Sequence, residues 1–152
     1  MNNEEYYTLK GYKIRENKNI TEAMEDYIEM IYRFDIKTVK ELSEKLNVRP
    51  SSVSKMIDRL KINKLVENEK YGNIKLTEEG KSLGKYFLYR HKVLSEFLKI
   101  INKNDYDLKQ VEKIEHFVDE ITIKNINNFI KGDANRYILD KIFYENKNDS
   151  FN

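Results

Sequence analysis

The chain contains no cysteine, no tryptophan, a single proline (Pro50) and only two histidines, His91 and His116, in 152 residues. Without cysteine there is no disulfide framework and no thiolate zinc site, so any metal must be held by oxygen and imidazole ligands. No stretch approaches the roughly 18 consecutive apolar residues that a membrane span requires. The N-terminus, rich in Asn, Glu and Tyr, lacks a basic-then-apolar leader. The expectation is a cytoplasmic protein with no membrane partner. No Gly-rich phosphate loop, no nucleophile motif and no third histidine for acid/base work is present, which weighs against an enzyme.

A hydrophobic content of 39% suffices for one compact domain or two small ones, and excludes disorder throughout. The net charge of +2 conceals an uneven distribution. Residues 37–90 carry 13 Lys/Arg against 7 Asp/Glu, whereas residues 1–36 carry 5 against 8 and residues 105–152 carry 7 against 10. The middle of the chain is the segment that suits a polyanion.

Periodicity predicts a helix over 21–34, capped by Thr21, with Met24, Tyr27, Ile28, Ile31 and Phe34 as its apolar stripe and Asp26, Glu29 and Arg33 on the other side. Thr38 and Glu41 form a capping box for a short second helix ending at Leu46. Pro50 suits the first turn of a third helix, which turns Val53, Ile57 and Leu60 inward and leaves Ser51, Ser52, Ser54, Lys55 and Arg59 outward. Residues 65–69 and 73–76 read as two short strands joined through Gly72. Three helices followed by a hairpin spell a winged helix-turn-helix.

Thr77, Glu78 and Glu79 open a long helix running to about Ile101, with Leu83, Phe87, Leu94, Leu98 and Ile101 as its stripe and His91 facing inward. Asp107 and Gln110 read as a second capping box. The helix they open bears Glu112, Glu115 and His116 at i, i+3, i+4, with Asp119 sharing their arc and Ile114, Val118, Ile121 and Ile130 on another face. Gly132 suits its end, and Asp133 suits the start of a last helix with Tyr137, Ile138, Ile142 and Phe143. A small hairpin fits Tyr7–Ile14.

In a helix-turn-helix the third helix enters the major groove, its first residues reach base edges, and neighbouring cations and hydroxyls hold phosphates. The candidate DNA-binding residues are therefore Arg49, Pro50, Ser51, Ser52, Ser54, Lys55 and Arg59, with Lys70, Tyr71 and Asn73 at the wing. Winged-helix domains also bind proteins, and a serine-rich helix start is ordinary capping chemistry, so the element order together with the basic middle favours DNA. For the acidic residues, pairs at i, i+3 are common on solvated faces. Here, however, three helices each offer carboxylate or imidazole donors, and a divalent cation would remove the repulsion between gathered carboxylates. Mixed oxygen and imidazole donors suit manganese or ferrous iron.

The segments Ala23–Glu29, Arg49–Met56, Tyr89–Arg90–His91 and Val111–His116 together resemble the diphtheria toxin repressor family, most closely its manganese transport regulator branch, over about residues 21–145. The resemblance implies a mainly α fold in which an N-terminal winged helix-turn-helix is followed by a helical metal-binding and dimerisation domain. It divides the chain into an N-terminal extension (1–20), a DNA-binding domain (21–80), a metal-binding and dimerisation domain (81–145) and a frayed tail (146–152). It implies a homodimeric repressor that binds double-stranded DNA at an inverted-repeat operator. It further implies metal ligands at Asp26, Glu29, His91, Glu112, Glu115 and His116, holding Mn2+ or, alternatively, Fe2+, with two ions per subunit. The iron-responsive branch typically has Met at the position of Asp26 and Cys at that of Glu112, so the harder donors here point to manganese. Three features depart from the family pattern: a short link at Asp35–Lys37, Ser95 in place of an acidic residue, and the added carboxylate of Asp119. A metal-independent winged-helix repressor and a binuclear metallohydrolase are the remaining alternatives.

Overall fold

The computed structural model describes residues 19–68, 72–103 and 107–132. The chain forms two compact units, residues 1–84 and 85–152, and passes from one to the other inside a long helix. The hairpin expected at Tyr7–Ile14, the wing-tip residues Lys70 and Tyr71, and the last helix from Asp133 lie outside the described residues.

The first unit begins with α1 (Glu22–Phe34), whose N-cap Thr21 accepts a hydrogen bond from the Met24 N–H. Met24, Tyr27, Ile28 and Ile31 are buried as the period requires. Phe34, expected on the same stripe, is instead 43% exposed. Asp35 takes a left-handed conformation and ends the helix there, and Lys45 places its ammonium 4.0 Å from the centre of the Phe34 ring. Glu29, expected on the outer side, is buried.

The second helix, α2 (Val39–Leu46), has the full reciprocal box: the Glu41 N–H donates to the Thr38 hydroxyl at 3.2 Å, and Glu41 Oε2 accepts from the Thr38 and Lys37 N–H groups at 3.0 Å each. These bonds hold the Glu41 carboxyl below its ordinary pKa, the Lys37 amide contributing most. Asn47, left-handed, ends α2, and α3 (Pro50–Ile62) follows with Pro50 in its first turn and Val53, Ile57 and Leu60 buried. Strands β1 (Val66–Asn68) and β2 (Ile74–Leu76) pair antiparallel with Val66 opposite Leu76. The Ile74 N–H donates to the Lys37 carbonyl, so the link between α1 and α2, short as it is, also anchors the wing.

Helix α4 (Glu78–Ile101) leaves the wing through Thr77, whose hydroxyl donates to the Lys64 carbonyl and accepts from the Gly80 N–H. Gly80 and Gly84, four residues apart, are its contact points in the first unit. A Cβ at Gly80 would overlap the Leu65 carbonyl oxygen, and one at Gly84 would press on the Tyr32 side chain, so only glycine permits this approach. This pair was not anticipated.

The second unit packs Val93, Leu94 and Leu98 of α4 against Val111, Ile123 and Ile130. Leu83 and Ile101, expected on the α4 stripe, are only half-buried, while Val93 is buried. The single helix expected after Asp107 is three elements: α5 (Leu108–Ile114), a 3-10 turn (Glu115–Phe117) and α6 (Glu120–Lys131). Asp107 caps α5 by accepting from the Lys109 N–H at 2.9 Å; no side-chain box with Gln110 forms. Asp119 is the N-cap of α6 and accepts from the Thr122 N–H at 2.7 Å. It therefore serves the next helix and does not extend the Glu/Glu/His arc. Restarting the helix there turns Ile123, Ile126 and Ile130 inward and leaves Ile121 71% exposed, against the expected face.

Candidate metal centre and nucleic-acid interface

Four of the six expected ligands lie together in the second unit. His91 sits on the buried face of α4, and the 3-10 turn brings Glu115 and His116 to it while Glu112 approaches from the last turns of α5. His91 Nδ1 lies 3.0 Å from Glu115 Oε2 and 3.5 Å from Glu112 Oε1. His116 Nε2 lies 3.9 Å from Glu115 Oε1. His91 is 4% exposed, Glu115 is 0% exposed and Glu112 reaches solvent.

A carboxylate can only accept, so the His91 Nδ1–H donates to Glu115 and the lone pair of His91 resides on Nε2. The other Glu115 oxygen, Oε1, is buried with no hydrogen-bond donor among the described residues. A buried charge in that condition is costly unless something positive meets it. A divalent cation meets the requirement: the Glu115 carboxylate and the two imidazoles beside it are donors of the hard and intermediate types that first-row divalent ions accept. The residues present fit such an ion.

Asp26 and Glu29 are on α1 of the first unit, three residues apart and so on one side of the helix; Asp26 is half-buried and Glu29 buried, with Glu29 Oε1 3.7 Å from the Arg33 guanidinium. Arg90 was not among the expected residues. It is buried beside His91 in sequence and places a guanidinium nitrogen 3.3 Å from His116 Nδ1. The motif Tyr89–Arg90–His91 contained the only signal that could have found it.

On the first unit, α3 presents Pro50, Ser51, Ser52, Ser54, Lys55 and Arg59 to solvent, preceded by exposed Arg49. Val53, Ile57 and Leu60 seat the opposite side of the helix in the core, so the polar row is exposed as a set. Ser54 turns its hydroxyl back to the Pro50 carbonyl at 3.1 Å. Asn73 at the wing is half-buried.

The family described as iron dependent repressor matches the chain twice: its N-terminal DNA binding domain over residues 19–74 and its metal binding and dimerisation domain over residues 77–134. The chain belongs to the iron dependent repressor family. Its two domains are those of a metal-dependent DNA-binding repressor, and the family is one of transcriptional regulators, not enzymes. It is 40% identical over 124 residues to the HTH-type transcriptional regulator MntR of Oceanobacillus iheyensis, covering 76% of this chain and 84% of that one. To MntR of Bacillus subtilis strain 168 it is 38% identical over 116 residues, 73% of this chain and 82% of that one. Among solved structures it is similar to the manganese regulator SloR, with a TM-score of 0.63 and 26% identity over 70% of this chain. The match takes in 53% of SloR, so the chain spans about half the length of that regulator. No described helix is long and apolar enough to cross a membrane.

Proposed function

We propose that this repressor is manganese-responsive and that Asp26, Glu29, His91, Glu112, Glu115 and His116 are its metal ligands. The observation that carries the reading is the buried Glu115 carboxylate, with one oxygen on His91 and the other without a donor among the described residues. The structurally similar SloR is a manganese regulator, and carboxylates at positions 26 and 112 are harder donors than the Met and Cys of the iron-responsive pattern. Six donors suit two ions per subunit. Iron is the second reading, since the same donors accept Fe2+.

Bound metal supplies the positive charge that lets these carboxylates share one place. His91 and His116 contribute neutral nitrogen donors, and Glu115 orients His91 through its other ring nitrogen. Asp26 and Glu29 belong to α1 of the DNA-binding unit, so ligation by both units restricts the freedom of one relative to the other. In a homodimer that restriction favours one spacing of the two α3 helices, which suits an inverted-repeat operator. Arg49, Ser51, Ser52 and Ser54 would take base edges and nearby phosphates, and Lys55, Arg59 and the wing residues Lys70, Tyr71 and Asn73 backbone charge. Linkage then requires that DNA tighten metal binding by the factor by which metal tightens DNA binding, typically about 1 to 3 kcal/mol. The site of action is the cytoplasm.

Glu112→Ala and His116→Ala test the reading. Both are expected to abolish the Mn2+ requirement together with high-affinity operator binding. A metal-independent repressor would bind DNA in either variant as the parent does.

A further inference from the structure

Metal ligation by His116 cannot leave its contact with Arg90 intact. Arg90 Nη2 lies 3.3 Å from His116 Nδ1, with the guanidinium buried and its carbon 4.9 Å from the centre of the Phe87 ring. A guanidinium has only donors, so His116 Nδ1 accepts with its lone pair. A neutral imidazole has one such lone pair. If an ion took Nδ1 it would displace the guanidinium directly. If it took Nε2, the ring proton would move to Nδ1 and point at the Arg90 N–H. By either nitrogen, the Arg90–His116 bond and a His116–metal bond exclude each other.

We propose that Arg90 is a built-in competitor for the metal site, holding His116 in the metal-free protein and setting the metal concentration at which the site fills. The proposal rests on His116 being a ligand, as argued above. Charge acts in the same direction as the hydrogen bond, because the Arg90 cation beside His116 repels an incoming divalent ion. The stacked Phe87 ring keeps the guanidinium in place and desolvated.

The test is Mn2+ calorimetry on the full chain carrying Arg90→Met, beside the parent, with thermal unfolding of both. Arg90→Met removes the donor and the charge while keeping an extended apolar side chain. Because one net hydrogen bond is lost only from the metal-free state, Mn2+ binding is expected to tighten about fivefold or more. Equal or weaker binding by a folded Arg90→Met protein would overturn the proposal. Nitrogen-15 spectra of the parent's imidazoles decide the matter should the variant fail to fold. His116 Nδ1 should report an acceptor in the metal-free protein and change with diamagnetic Cd2+, whereas an unchanged signal in Cd2+-saturated protein would overturn competition. A parent protein that binds no Mn2+ would sink the functional reading itself, an outcome distinct from a parent and variant that bind equally.

Discussion

Ser43 and Val48 are tied twice across the turn between the second and third helices: the Ser43 hydroxyl donates to the Val48 carbonyl at 2.6 Å, and the Val48 N–H donates to the Ser43 carbonyl at 3.1 Å. Asn47, in the left-handed conformation, makes the turn between them possible. Arg49 and Pro50 follow at once, so this clamp fixes the direction in which α3 leaves.

Ser43→Ala removes the side-chain half of the clamp and should cost about 1 kcal/mol, the net worth of one hydrogen bond. DNA affinity should fall by more than that loss of folding stability explains, since the residues carried by α3 lose their register. Chemical denaturation and operator binding on the same variant would show whether both drop.

Gly84→Ala should destabilise the protein by about 1 to 3 kcal/mol, the usual cost of overpacking. The sign is diagnostic, because alanine for glycine in a free helix interior gains up to about 1 kcal/mol. The reversal arises from Tyr32, whose side chain an added methyl would press against. A higher melting temperature for Gly84→Ala would show that α4 does not approach α1 so closely.

Glu115→Gln is expected to weaken Mn2+ binding at least about 100-fold, more than the loss of an outer-shell partner of a ligand costs. In chelator its melting temperature should hold or rise, because the substitution removes a buried charge with an oxygen lacking a donor while leaving a carbonyl for His91. Scanning calorimetry with chelator and with excess Mn2+ separates the two effects.

Asp119, the N-cap of α6, and Glu41, the third residue of the α2 capping box, accept backbone N–H bonds that hold both carboxyls below their ordinary pKa. A group depressed on folding contributes stability above its unfolded pKa of about 4, and the contribution is lost as pH falls through the folded value. Asp119→Ala should therefore melt below the parent at pH 7, with the gap narrowing toward pH 2 to 3. A gap independent of pH would mean that the cap bond contributes nothing ionic.

Where a cap or an imino acid marks a boundary, the sequence was readable: Thr21, the Thr38–Glu41 box and Pro50 start their helices as expected. The break at Glu115–Phe117 was not readable, because it contains neither proline nor glycine and the Glu112/Glu115/His116 spacing suits a continuous helix. Its trace lay downstream, in Asp119 as a cap and Ile123, Ile126 and Ile130 as a fresh stripe. Phe34 fits the apolar period but falls at a helix end, where the left-handed Asp35 turns the chain away. At the candidate site, His91 facing inward and the proximity of Glu115 and His116 were anticipated. The burial of Arg90 was not, since nothing local distinguishes it from the exposed arginines of other helices.

The most direct test of metal-dependent operator recognition is fluorescence anisotropy of a labelled inverted-repeat duplex from the chain's own upstream region, at fixed salt, with Mn2+, with anaerobic Fe2+ and with chelator. Manganese should tighten binding by about 5- to 150-fold over chelator, the range of ordinary allosteric coupling, and by more than iron does. Equal affinity with Mn2+ and with chelator would contradict the switch even if the protein binds that DNA tightly.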